Sequence, residues 1–541
     1  MTRSEQLERL DRLAPWLLGA LTFASCLAFM PEYPTEWDSI QLTFGVDHFD
    51  VTGGSPHPPG YWLYVMLGRI VTWLTPLPAD AALSVLSAAA AGATVGLTYV
   101  IGRRFGGRRL GAAAALFLAT SPFLLFYGAT VSTYAFDALV ATVLVLLAAN
   151  ARPGSWHGWA AAAALGLGAG LRQTTLIVLG PVALYAAIVC VRSLRAALAV
   201  AAAGALAVLA WFVPMIVEQP GGLALYRSFS DSYLDDALRG TSVFYGAPRT
   251  GIVNNLGQAT GYTLAAVIVL LPVTAVAAVL SRRREQPTVA ASAAETAATK
   301  RMAVLLGLVV GVSLVFVLLM HFGKAGYVLS YLPALALLLL WPLARLRGTA
   351  LAVAGVLLVG ACALDLSRFV FARGVLPETN SVQDGLWFTQ HRHGAPYRLT
   401  RALMQQVDRE TRAYLELADD FDPSRHAFVY VFLDGGHRFR HAAYTMPQFT
   451  MHNVVRGVHR NTAFDKHMTY HDDHDVEVPV GGEAVYVLDV PFPETMTLEQ
   501  QGRIRPHRLD SGPTVWVVPP GVTMFGVEVV EDPFWGRNPG K

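Results

Sequence analysis

The 541-residue chain is 53% hydrophobic and only 15% charged, with a mean hydropathy of +0.42, which excludes a water-soluble enzyme of this size. Its formal net charge is +2, and its Lys and Arg residues sit in short clusters beside apolar runs, which excludes a nucleic-acid-binding face. The three cysteines, Cys26, Cys190 and Cys362, lie within or at the ends of apolar segments, which argues against a disulfide framework.

The first apolar stretch, 14–30, follows a basic, polar start but lacks an A-x-A cleavage site, so it reads as a retained helix. Further Ala/Leu/Val runs at 79–102, 109–127, 133–150, 156–171, 174–191, 196–217, 260–280, 302–320, 326–344 and 349–371 have the length needed to cross ~30 Å of hydrocarbon as helices. About eleven transmembrane helices are expected. Arg3, Arg9 and Arg12, the RRFGGRR cluster at 103–109, Arg152, Arg192 with Arg195, Arg282 to Arg284 with Lys300 and Arg301, and Arg345 with Arg347 then all fall on one side, the cytoplasm. This parity holds only if the stretch from Tyr61 to Leu77 does not cross. Its Tyr61, Trp62, Tyr64, Arg69 and Trp73 suit an interfacial helix at headgroup depth. The cytoplasmic QPTVAASAAETAATK loop at 286–300 reads as a flexible linker.

Three stretches remain outside: 31–78, 218–259 and everything after about residue 372. The domain division expected is 1–371 in the membrane and an extracytoplasmic module at 372–541. Apolar runs at 427–433, 484–490, 514–520 and 525–531 read as strands, and 398–418 has helical periodicity, giving a small α+β soluble domain. Its histidines, His437, His441, His452, His459, His467, His471 and His474, lack standard zinc-ligand spacing and read as surface loop, and LDGGHR at 433–438 reads as a turn. Asp231, Asp235 and Asp236 read as a solvated helix face in the second outer loop.

The loop PEYPTEWDSIQLTFGVDHFDVTGGSPHPPGYWLYVMLGRI, 31–70, carries the chemistry: Glu36, Asp38, Asp47 and Asp50, a Gly-Gly turn, then His57-Pro58-Pro59-Gly60 leading into the interfacial helix. Three cations break the inside count, Arg172 in GLRQTT, Lys324 in HFGKAGYVLSYLPAL and Arg69 on the interfacial helix. A charge at the end of an apolar helix pair is costly unless it snorkels or meets an anion.

With WDSIQ at 37–41 and SPHPPGYWLYVMLGRI at 55–70, residues 14–371 resemble the GT-C superfamily of polyprenol-dependent membrane glycosyltransferases, in particular the protein O-mannosyltransferase and aminoarabinose transferase branch. The resemblance implies a GT-C-like polytopic α-helical membrane protein. In that family an acid in the first outer loop is the catalytic or metal-associated carboxylate, and Asp38 occupies its position. The second acid that many relatives carry three residues on is replaced here by Gln41, with Glu36 two residues before Asp38. Where relatives place an acid before a Tyr at the outer end of a later helix, this chain has Ser132, with Asp137 one turn on.

The resemblance implies a base, Asp38, that takes the proton of an acceptor hydroxyl as it attacks the anomeric carbon. It implies cations where charge develops on the leaving lipid phosphate, namely Arg172 and Lys324, with His57 in place of a lysine as a donor. Tyr327 opens the helix start after Lys324, Tyr134 is a candidate cavity residue, and Arg69 is a candidate contact whose simpler role is a lipid anchor. A divalent metal ion is left open, with Asp38 as its ligand.

The expected function is transfer of a hexosyl or pentosyl group from a polyprenyl-phosphate carrier, at the outer face of a bacterial inner membrane, to an acceptor glycan, lipid or protein. Nucleic acid is not expected as a partner. A transporter or flippase of a lipid-linked or small polar substrate is the alternative. It would gather ionisable groups near mid-membrane, whereas here they gather at the outer helix ends. A non-catalytic assembly or sensor protein is the third reading.

Overall fold

The computed structural model describes residues 3–282, 293–372, 399–432, 438–455, 469–472, 476–488, 493–512 and 514–532. The chain forms two compact units, one of residues 1–31 and 58–403, the other of 32–57 and 404–541. Residues 32–57 thus fold with the C-terminal residues.

Among the described residues the regular elements of the first unit are all helices. The unit begins with α1 (Arg3–Ala28), and α2 (Trp37–Asp47) then belongs to the other unit. The first unit resumes with α3 (Trp62–Leu74), α4 (Ala79–Gly106), α5 (Arg108–Thr120), α6 (Pro122–Ala129), α7 (Tyr134–Ala149), α8 (His157–Leu171), α9 (Thr175–Cys190) and α10 (Leu194–Glu218). After these come α11 (Gly222–Thr241), α12 (Arg249–Val267), α13 (Leu270–Arg282), α14 (Ala293–Leu319), α15 (Leu332–Leu340) and α16 (Gly348–Phe371). In hydrocarbon only a helix satisfies its own backbone, which is why the uncharged Ala/Leu/Val runs adopt this form. Among the described residues four helices are long and apolar enough to cross a membrane, α4, α10, α14 and α16, or six if each bent pair counts as one span.

Three of the expected spans are broken: 326–344 is a nine-residue helix, α15, between 3-10 turns at Ala325–Ser330 and Trp341–Arg345, and the other two bend at a proline. At 109–127 the axis turns by 57° between α5 and α6, where Pro122 has no N–H for the Leu118 carbonyl. At 260–280 it turns by 64° between α12 and α13, and Pro272 likewise cannot donate to Ile268. The loop expected at 286–300 is half helix, since α14 starts at Ala293; residues 283–292 lie outside the described residues.

α4 packs against α1, α5 and α7, and glycine permits the closest approach. A Cβ on Gly92 would lie 2.6 Å from the Gly19 carbonyl oxygen, and one on Gly19 would lie 2.8 Å from that of Gly92. Small residues facing each other let two helix backbones meet in this way. The thirteen residues of α3 reach about 20 Å at 1.5 Å per residue, short of the hydrocarbon thickness. It buries Tyr64, Val65 and Gly68 and leaves Ile70, Trp73 and Leu74 exposed. On α11, Asp231 and Asp235 pair with Arg227 and Arg239 at 3.5 and 2.7 Å on exposed turns.

The second unit is built on a six-stranded sheet in the order β3-β2-β1-β5-β7-β6, comprising β1 (His426–Phe432), β2 (Thr450–Val455), β3 (Thr469–Asp472), β5 (Glu483–Leu488), β6 (Arg505–Arg508) and β7 (Thr514–Val518). β3, β2, β1 and β5 run parallel, and β7 is antiparallel to both β5 and β6. Alternation along the strands buries both faces. Ala427, Val429, Ala484, Tyr486, Trp516 and Val518 face a core completed by a smaller sheet of β4 (Val476–Val480), β9 (Val527–Glu531) and β8 (Thr523–Met524). Phe428, Tyr430, Val485 and Val515 face the other core, with Tyr414 and Leu417 of α17 (Arg401–Asp420) and Ala442, Ala443 and Met446 from the region of α18 (Arg438–Thr445). A short helix, α19 (Pro493–Gln500), completes the unit.

Trp37 packs on that second core, and the Phe44 ring lies 5.9 Å from that of Tyr444. These contacts draw α2 into the C-terminal unit. His441 and His452, expected on a surface loop, are 8% and 6% exposed, because α18 and β2 carry them into the packed interior. His437, His459, His467 and His474 lie outside the described residues, as does most of the turn at 433–438.

Candidate functional site

In the second unit Asp38 lies in the first turn of α2, following Glu36 at the N-cap. An acid there is stabilised by the helix dipole, so the segment expected as a loop is a helix. The Asp38 side chain is 29% exposed, and its Oδ2 lies 4.0 Å from Nε2 of His57, which is nearly buried. That spacing is beyond a direct hydrogen bond. A carboxylate so placed is accessible, oriented and beside a group that can carry positive charge. Asp50 has a different task. Its carboxylate is fully buried and accepts from the Thr52 N–H at 3.0 Å and the Thr52 hydroxyl at 2.6 Å, closing the Asp50–Ser55 turn.

In the first unit Arg172, Tyr134 and Tyr327 come together. The Arg172 guanidinium lies 4.2 Å from the Tyr134 ring centre and 4.1 Å from that of Tyr327. Its Nη1 donates to Asp137 Oδ2 at 3.1 Å. Arg172 caps the C-terminus of α8 and Asp137 sits in the first turn of α7, so each charge meets the favourable end of a helix dipole. The Thr175 hydroxyl donates to the other Asp137 oxygen at 3.3 Å. Both charged groups are nearly buried, at 5% and 7% exposure. A guanidinium is suited to this setting because it stacks on aromatic faces and holds several donors in one plane.

Gly326 is what lets Tyr134 take this place: a Cβ there would lie 2.3 Å from the Tyr134 ring. Lys324 precedes the 3-10 turn Ala325–Ser330, its carbonyl accepting the Tyr327 N–H at 3.1 Å, and its residue is half-buried. His321, beside the Tyr327 ring, is pushed down to about 4 by burial and by the Arg172 cation, and is therefore neutral at pH 7. Gln173, next in chain to Arg172, donates to the Pro59 carbonyl at 3.3 Å and to the Tyr226 hydroxyl at 3.0 Å, and that hydroxyl donates to the same carbonyl at 3.2 Å. Pro59 is thus tied to α11 and to the α8–α9 turn.

Arg69 is engaged elsewhere. Its Nη1 lies 2.5 Å from Glu218 Oε1, and Trp62 Nε1 donates to Glu218 Oε2 at 2.9 Å, so the pair fastens α3 to the end of α10. Asp137, Gln173, Tyr226 and His321 were not singled out from sequence as site residues. The nearest signal was Asp137 as a lone carboxylate in an apolar helix, which implies a cationic partner without naming it. No group of three or more His, Cys, Asp or Glu side chains that could hold a metal ion occurs among the described residues. Asp38 has Gln41 rather than an acid one turn on.

No family model matches the chain, and no curated protein matches it. Among solved structures it is similar to ArnT from Cupriavidus metallidurans bound to undecaprenyl phosphate, with 14% identity, a TM-score of 0.56, and coverage of 95% of this chain and 98% of that one. The apo state of the same protein gives 14% identity, a TM-score of 0.54 and the same coverage. Because the match covers nearly the whole chain at so low an identity, what it shows is the fold: this chain shares the architecture of that protein.

Proposed function

We propose that the chain transfers a hexosyl or pentosyl group from a polyprenyl-phosphate donor to an acceptor hydroxyl at the outer face of a bacterial inner membrane, with its N-terminus cytoplasmic and residues 372–541 extracytoplasmic. Asp38 is the base. It takes the acceptor proton while the acceptor oxygen bonds to the anomeric carbon and the carbon–phosphate-oxygen bond breaks, leaving the polyprenyl phosphate with the electron pair. His57 orients Asp38 or donates to the departing phosphate. Arg172 and Lys324 balance the charge that develops there, with Tyr134 and Tyr327 setting the Arg172 plane. Arg69 is left outside the reaction, since Glu218 holds it.

The observation that carries this reading is Asp38: a partly exposed carboxylate at a helix N-terminus, 4.0 Å from a histidine, in a chain with the fold of a protein solved with undecaprenyl phosphate. A transporter has no use for such a base. The test is a proteoliposome assay of polyprenyl phosphate released from a panel of polyprenyl-phosphate-linked hexoses and pentoses, with native membrane lipids and glycans as acceptors. Asp38→Asn and Asp38→Ala are expected to lose at least ~10²-fold in turnover while still binding undecaprenyl phosphate. Full turnover by both variants refutes the base assignment, and substrate movement without release refutes the transferase.

A further inference from the structure

The helix that carries Asp38 is held at its entry by side chains far along the chain. Asp408 on α17 accepts the Tyr33 N–H at 3.0 Å, and His441 on α18 meets the Pro34 carbonyl through Nε2 at 3.0 Å. A carbonyl only accepts, so Nε2 of His441 carries the proton and donates. His441 is 8% exposed, so this bond is made in a packed interior, where a lost donor leaves a carbonyl unsatisfied. Burial pushes the Asp408 carboxyl up, against the opposing pull of its bonds to the Glu32 and Tyr33 backbone. Glu32 also pairs with Arg412, one turn beyond Asp408. The chain from Glu32 to Pro34 is thereby fixed just before the turn that bears Asp38, while Trp37 and Phe44 anchor the helix body.

We propose that Asp408 and His441 are positioning residues for Asp38: the C-terminal unit sets the angle at which the base is presented by clamping the backbone at Tyr33 and Pro34. This rests on the assignment of Asp38 as the base. The clamp uses two different acceptor–donor senses, one backbone N–H held by a carboxylate and one carbonyl held by an imidazole. Together they define both the rotation and the height of the α2 entry, as a single bond would not. Catalytic groups displaced by about 1 Å lose turnover by roughly 10²-fold, so a clamp of this kind is read in kcat.

The experiment compares His441→Leu, His441→Gln and Asp408→Ala in the full-length protein, in the same release assay, with hydrogen exchange of residues 33–47 measured on each. His441→Leu and Asp408→Ala are expected to lower kcat by about 10- to 100-fold with KM for the lipid-linked donor within about 2-fold of the parent, and to speed exchange at the α2 entry. His441→Gln, whose amide also donates to the carbonyl, is expected to recover kcat to within about 3-fold. Unchanged kcat in both His441→Leu and Asp408→Ala overturns the proposal, as does a loss that follows KM alone or that His441→Gln fails to rescue. An active Asp38→Ala would instead sink the base assignment, and faster α2 exchange with full turnover would show a clamp that serves folding only.

Discussion

Replacing Arg172 by methionine tests whether the buried pair at the start of α7 and the end of α8 is a unit. The guanidinium is 5% exposed, bonded to Asp137 at 3.1 Å and set between two tyrosine rings at 4.1 and 4.2 Å. Arg172→Met strips Asp137 of its cation in a packed interior, and breaking a buried pair from one side costs about 3–5 kcal/mol. Asp137→Leu leaves the guanidinium with its two rings, which recover about 1–2 kcal/mol of that when desolvated, so its cost is expected to be the smaller. The double variant Arg172→Met/Asp137→Leu removes both charges together. It is expected to fall short of the sum of the single costs by about 2–3 kcal/mol, the coupling of groups in direct contact. Unfolding in mixed detergent–SDS micelles gives these free energies, and the release assay gives turnover in parallel. Stability restored in the double variant without turnover would separate the structural from the catalytic work of Arg172. Additive single costs, or single costs below about 1 kcal/mol, would refute the coupled pair.

Gly326→Ala is expected to force the Tyr134 ring away from Arg172, since the new Cβ would sit 2.3 Å from it; overpacking of this kind costs about 1–3 kcal/mol, and a melting curve unchanged from the parent would contradict the geometry. His321 is held neutral down to about pH 4 while its unfolded form titrates near 6.5. The unfolded state therefore binds more protons between those values, and stability falls as pH drops from about 6.5 towards 4. His321→Gln should flatten that acid limb, as measured by unfolding at stepped pH, and an identical limb in the variant argues against the assignment. Glu218→Gln, at a pair about 30% exposed on each side, is expected to cost no more than about 1 kcal/mol and to leave turnover within about 3-fold; a larger loss would return Arg69 to the site.

Much of the architecture was legible because a bilayer imposes a coarse and local rule. Long uncharged runs must be helical, and the expected spans at 79–102, 133–150, 156–171, 174–191 and 196–217 coincide with helices to within a few residues. The strands around 427–433, 484–490, 514–520 and 525–531 were legible for a related reason, since apolar β-branched and aromatic runs of that length form buried strands. The bends at Ser121 and between α12 and α13 were not legible in the sequence, which reads as continuous runs at 109–127 and 260–280; a proline sits at each, but the angle belongs to the packing.

What only the tertiary structure decided were partnerships between distant residues. Arg172 was legible as a cation out of place, but its carboxylate lies 35 residues away on another helix, and no local pattern encodes that distance. Asp38 was legible as a candidate base, but its setting in a helix that folds with a segment more than 370 residues on was not. The sequence determines which segments are apolar and which positions carry charge, because these are properties of single side chains and their near neighbours. Which charge meets which, and how a base is aimed, depends on non-local packing, where many weak contacts act together and single residues carry no readable signal.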